Sequence, residues 1–165
     1  SLKVPFSVAH MGMFLAAEGP DQPGFQAFID VLKRDEVRGY AKFTGTYRMA
    51  TPPTYADAAP MARALVEAVS DRIIWGSDYP HLSFAHLVGS VQLFNLLGDW
   101  ADGAARTRIL VDNPARFVAA GLNRALAVSQ GSVIVRMDVH TRYAADYEAA
   151  GAVMSGARPH IPPIA

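Results

Sequence analysis

Three side chains that could do chemistry each stand just past an apolar run: His10 after VPFSVA, Arg48 after YAKFTGTY, and Asp78 after IIWGS. The last is the most pointed, since a strongly apolar strand ends on a carboxylate and Pro80 then stops it from continuing. A histidine and an aspartate at neighbouring strand ends can do general acid/base work on a water, or can share a metal ion. An arginine just past the middle strand would supply a fixed bidentate fork for a carboxylate. Each group also has a plainer reading. His10 could be a hydrogen-bonded residue under a loop, Asp78 a turn residue accepting backbone N–H bonds, and Arg48 a solvated loop residue. Residue type alone leaves both readings open.

The elements that must position these groups are legible from periodicity. Val4 to His10 reads as a buried strand followed by a turn at Met11-Gly12. Phe25, Phe28, Ile29 and Leu32 form one face of an amphipathic helix, and Arg38 to Gly45 returns to strand character. Ala58, Ala62, Leu65, Val66 and Val69 predict a second helix, and Arg72 to Ser77 a third strand. Leu87, Val91, Phe94 and Leu97 predict a third helical face, and Ala104 to Leu110 a fourth helix. Asn113 and Pro114 read as N-cap and first residue of another. Strand and helix in alternation predict a parallel α/β architecture, in which right-handed crossovers bring all three strand ends to one face. Functional groups gather on that face in parallel α/β folds.

Other candidates fall into place around this frame. Lys42 shares a strand side with Tyr40 and Thr44, and must either snorkel or be paired. Trp75 reads as core packing, and His81, His86 and His160 as surface or loop residues. After Ala127 the β/α rhythm stops: SVIVRMDV reads as a strand and ARPHIPPIA is Pro-rich. The expected division is a domain over residues 1–128 and an extension over 129–165.

At 165 residues, 51% hydrophobic and 18% charged, the chain has the composition of a globular protein. Fifteen basic residues balance fifteen acidic ones, so there is no electrostatic case for nucleic acid or an anionic membrane as partner. The absence of cysteine excludes disulfides and thiolate metal sites and fits a reducing, cytoplasmic location. No apolar run approaches the roughly 20 residues of a membrane span.

Four stretches, VPFSVAHMG, YAKFTGTYR, DRIIWGSDYPH and ILVDNPARF, occur in an order that resembles the C-terminal part of the amidohydrolase superfamily. The similarity is to the amidohydrolase-related branch that contains the 2-pyrone-4,6-dicarboxylate lactonases, and it covers roughly Lys3 to Gly121. WGSDYPH with DNPARF is its most specific part. Members are (β/α)₈ barrels, so the resemblance implies α/β architecture: the C-terminal part of a TIM-type barrel, about three β/α units, incomplete. The three strands would be the sixth, seventh and eighth. By the same resemblance His10 matches the histidine of strand six, Asp78 the aspartate of strand eight that activates water, and Arg48 an arginine that holds a substrate carboxylate.

A whole barrel takes about 250 residues, and the family's first strand carries a His-x-His pair with no counterpart upstream of His10. The expectation is therefore a piece of a longer chain. In MDVHTRY of the tail, His140 stands where the pair would begin and Arg142 where its second histidine would be. Open strand edges predict self-association.

The resemblance implies a hydrolase of aromatic-compound breakdown. It would open a lactone or ester of a small carboxylate, such as a 2-pyrone-4,6-dicarboxylate, by Asp-activated water and without a bound metal. The alternatives are a metal-dependent decarboxylase or amide hydrolase of the same superfamily, with Zn²⁺ or Mn²⁺ near His10 and Asp78, or an inactive barrel fragment.

Overall fold

Three short parallel strands carry the architecture: β1 (Phe6–Val8), β2 (Gly39–Phe43) and β3 (Ile73–Trp75) lie side by side in chain order. The computed structural model describes residues 5–34, 36 and 38–128, with side chains to residue 121. The expected extension over 129–165, with SVIVRMDV, His140, Arg142 and His160, lies outside the described residues. The chain divides into two units between Val118 and Ala119.

Each strand is followed by helix: α1 (Pro23–Leu32) after β1, α2 (Ala59–Val69) after β2, and α3 (Ser90–Trp100) after β3. Then come α4 (Gly103–Thr107), a π-helical turn over Arg108–Asp112, and α5 (Asn113–Val128). The ladder pairs Ser7 with Tyr40, Val8 with Ala41, Ala41 with Ile73 and Lys42 with Ile74. Chain neighbours are thus sheet neighbours, each reached through a helix, as parallel pairing requires.

The helices form where the apolar period says they should. Pro23 begins α1, where its missing N–H costs nothing, and Phe25, Ile29 and Leu32 are buried. In α2 the buried residues are Met61, Ala62, Leu65 and Val69. One side of the sheet, with Ala41, Phe43 and Ile73, packs against these helices in a continuous core. Trp75 joins this core, meeting Phe94 edge-on with ring centroids 5.3 Å apart. The opposite side of β2 presents Tyr40, Lys42 and Thr44. Phe117 of α5 closes on Tyr40 there at 5.3 Å.

Two expectations need correction. In α3 the buried face is Leu93, Leu96, Leu97 and Trp100, whereas Leu87, Val91 and Phe94 are 48%, 74% and 46% exposed. The segment carries two apolar stripes. The one ending in Trp100 goes inward because that indole packs edge-on against Phe43 at 5.4 Å, and aromatic burial outweighs a valine's. Nor is Asn113 an N-cap: its φ of −69° and ψ of −45° continue the helical path from the π-helical turn. Its side chain is fully buried and donates to the carbonyls of Ser70 at 2.8 Å and Ile73 at 2.7 Å. It pins the start of β3 to α5.

Candidate active site

The three strands end on one side of the sheet, and the turns that follow fold His10, Arg48 and Asp78 together. After β1 the backbone turns left-handed at His10, Met11 and Gly12, with φ of 55°, 51° and 82°. This carries the imidazole across the end of β2, where Nδ1 lies 3.2 Å from the Thr44 carbonyl oxygen and 4.0 Å from Asp78 Oδ2. After β2, Gly45 turns at φ 57° into a short helical turn, Thr46–Arg48. A Cβ on Gly45 would stand 2.6 Å from His10 Cε1 and 3.0 Å from Asp78 Oδ2. Only glycine lets the two catalytic candidates approach over this backbone.

β3 makes its last ladder bond from the Gly76 N–H to the Phe43 carbonyl at 3.0 Å, and Asp78 then sits at φ 59°. The Tyr47 hydroxyl donates to Asp78 Oδ2 at 2.6 Å, and Arg48 Nε donates to the same oxygen at 3.2 Å. The guanidinium also lies over the rings of Tyr47 and Phe84, 5.1 and 5.3 Å from their centroids. The turn reading of Asp78 assigned backbone N–H partners to its carboxylate. Ser77 Oγ, not Asp78, accepts from the Tyr79 N–H.

Burial pushes the Asp78 carboxyl up, but the hydrogen bonds from Tyr47 and Arg48 and the nearby charges of His10 and Arg48 outweigh it. The net pKa lies below the usual carboxylate value. For Tyr47, burial and then the hydrogen bond to Asp78 push the phenol up to about 12. Arg48 ends above its ordinary value: burial works against its charge, but the bond to Asp78 and the pairing with Tyr47 prevail.

Sequence reasoning missed Tyr47. It stood within TGTYR, read only for its arginine, and the signal was its place in the tight turn that Gly45 opens. His81, expected as a surface or loop residue, lies in the loop after β3 but is 4% exposed. Its Nε2 lies 3.1 Å from Ser90 Oγ, and its ring meets Tyr47 edge-on at 5.6 Å. The tight bend joining Asp78 to His81, closed by a 2.8 Å backbone bond, folds the ring inward. His86 is exposed.

Zn²⁺ or Mn²⁺ is poorly served by these residues. Among the described residues His10 and Asp78 are the two candidate ligands, while a catalytic zinc takes about three protein ligands, and the Asp78 oxygen facing His10 is already held by Tyr47 and a guanidinium. Among the described residues no group of three His, Cys, Asp or Glu side chains could hold a metal ion. A cavity of about 450 Å³ between α3 and α4, lined by Phe94, Leu97, Arg106, Leu110 and Val111, is bordered by none of these groups.

The amidohydrolase family model matches residues 2–119, most of the chain and all of the groups just described. The chain belongs to the amidohydrolase family. Among curated amidohydrolase relatives, it is 38% identical over 120 residues to a 4-sulfomuconolactone hydrolase of Hydrogenophaga intermedia, covering 70% of this chain and 39% of that protein. It is 31% identical over 120 residues to a 2-pyrone-4,6-dicarboxylate hydrolase of Comamonas testosteroni, covering 66% of this chain and 39% of that one. A solved structure from Agrobacterium tumefaciens superposes with a TM-score of 0.62 at 30% identity, over 71% of this chain and 42% of the other. The chain thus spans about two fifths of the length of its amidohydrolase relatives. No helix among the described residues is long and apolar enough to cross a membrane.

Proposed function

We propose that this chain is the C-terminal part of a (β/α)₈ barrel whose parent protein hydrolyses the lactone of a small carboxylate, with Asp78 as the base that activates water. The observation that carries this reading is the Asp78 carboxylate, held on one oxygen by Tyr47 and Arg48 beside His10, at the ends of three successive parallel strands. The names of two relatives, a sulfomuconolactone hydrolase and a pyrone dicarboxylate hydrolase, support a lactone with further anionic groups.

In this reading β1, β2 and β3 are strands six, seven and eight. Tyr47 and Arg48 hold Oδ2, which leaves Oδ1 to take a proton from water as the oxygen attacks the lactone carbonyl carbon. The ring C–O bond then breaks, and Asp78 returns the proton to the leaving oxygen to give the hydroxy acid. Donation from His10 Nδ1 to Thr44 would turn Nε2 toward the substrate; with a proton on Nε2 the ring polarises the carbonyl.

Arg48 has two roles that compete. A substrate carboxylate drawing the guanidinium away from Asp78 would remove one of the interactions that keep Asp78 a weak base. Substrate binding would then strengthen the base it needs.

The test is to express the full-length protein of the native gene and assay 4-sulfomuconolactone and 2-pyrone-4,6-dicarboxylate, alongside Asp78→Asn. Turnover of either lactone, lost in the Asn variant, supports the reading; full activity in Asp78→Asn would remove Asp78 from the base role. Metal analysis of the active protein separates the metal-dependent alternative, which requires stoichiometric Zn²⁺ or Mn²⁺ for turnover.

A further inference from the structure

Lys42 lies on the side of β2 shared with Tyr40 and Thr44, opposite the buried Ala41 and Phe43, and among the described residues its ammonium has no ion pair or hydrogen bond. Its stem crosses to β3 over Gly76. A Cβ there would stand 2.7 Å from Lys42 Cε and 3.4 Å from Nζ, so glycine is what allows the crossing. The Thr44 hydroxyl lies 3.9 Å from the same point. Thr44 is 3% exposed, and its Oγ1 is buried without a hydrogen-bond partner. An ammonium and a buried hydroxyl, each with a hydrogen to donate, converge on one spot where neither finds a partner among the described residues.

Neither group is easily explained by packing. A buried hydroxyl left unpaired is destabilising, and a half-buried ammonium gains most from a counter-ion. Arg48 is already engaged by Asp78 at 3.2 Å, whereas Lys42 has no anion of its own among the described residues. Gly76 directly follows β3 and stands two residues before Asp78, so the spot the two donors share lies at the strand end that leads into the carboxylate.

We propose that Lys42 and Thr44 form an oxyanion-binding subsite beneath Asp78, distinct from Arg48, that takes a carboxylate oxygen of the substrate. The subsite rests on the reading of this face as one that receives an anionic small molecule. A carboxylate seated there accepts from Lys42 Nζ and from the Thr44 hydroxyl, which orients the ligand from below while Arg48 holds it from the turn above.

The chain has three lysines, Lys3, Lys33 and Lys42, which makes the subsite directly readable. Limited acylation with an amine-selective ester, followed by mass spectrometry, measures the reactivity of each lysine with and without isophthalate as probe. Protection of Lys42 alone is the expected result, with Lys33 unchanged. Calorimetric titration of the same probe into Lys42→Met and Arg48→Met should each show affinity lowered by about tenfold, the loss of one charge-assisted contact. Thr44→Val removes the unpaired hydroxyl without adding volume and should weaken binding less, at a melting temperature equal to or above that of the unaltered protein. Unprotected Lys42 with full affinity in Lys42→Met and Thr44→Val, but not in Arg48→Met, would overturn the subsite and leave the carboxylate reading standing. With all of these variants made in the full-length protein, failure of the unaltered full-length protein to bind isophthalate would overturn both.

Discussion

The Tyr47 hydroxyl donates to Asp78 Oδ2 at 2.6 Å, the shortest link between the turn after β2 and the end of β3. Tyr47 is 6% exposed, so this bond is made out of bulk water, and it ties the proposed base to the scaffold. Replacing Tyr47 by Phe keeps the ring packed against Phe84 and His81 but removes the donor. The expected cost in stability is about 1.5–3 kcal/mol, as for a hydrogen bond to a charged group, and urea denaturation measures it. The same variant should raise the Asp78 pKa, visible by carboxyl NMR.

Stability should fall at both ends of the pH scale for separate reasons. Asp78 has a lowered pKa in the folded state, so the unfolded chain takes up its proton first as pH falls. The contribution is therefore present above the ordinary value of 3.8 and is lost below it, through the folded pKa. Tyr47 is raised from 10.0 to about 12, so its contribution is present below pH 10 and declines from there to about pH 12. Denaturation midpoints across both windows check this: Asp78→Asn should flatten the acid limb, and Tyr47→Phe the alkaline one.

Gly45→Ala should move His10 away from Asp78. The new methyl would overlap the imidazole, and the φ of 57° disfavours any Cβ. A loss of about 1 kcal/mol or more is expected from the backbone, with the larger effect on the His10 ring, whose NMR shifts report the displacement.

Asn113→Ala should free the Ser70 and Ile73 carbonyls that its amide binds at 2.8 and 2.7 Å. Loss of these bonds at a fully buried site is expected to cost about 2–4 kcal/mol, read by chemical denaturation. Asn113→Asp should cost more, because a carboxylate would face two carbonyl oxygens.

Association is expected to rise with concentration. Among the described residues β1 and β3 each pair on one edge only, which leaves backbone donors and acceptors open on the other. Light scattering across a dilution series tests it; a monomer at every concentration would count against open edges as contact surfaces.

Much of the described part of this protein is legible in its sequence. The periodic faces of α1 and α2, the order of strands and helices, and the placing of His10, Arg48 and Asp78 at three strand ends all follow from local patterns, because burial of one face imposes its period on the residues. Four short motifs also carried the family resemblance. Where two apolar stripes competed, as in α3, sequence could not choose between them; the choice belonged to Trp100, which needed Phe43 to pack against. Asn113 reads locally as a cap, yet its amide serves carbonyls about forty residues earlier in the chain. Tyr47 and His81 were decided in the same way, by two turns that are far apart in sequence and touch only after the strands align. Local pattern determines which face of an element is apolar. Which polar groups meet is decided by contacts between distant residues, and those exist only once the sheet has formed.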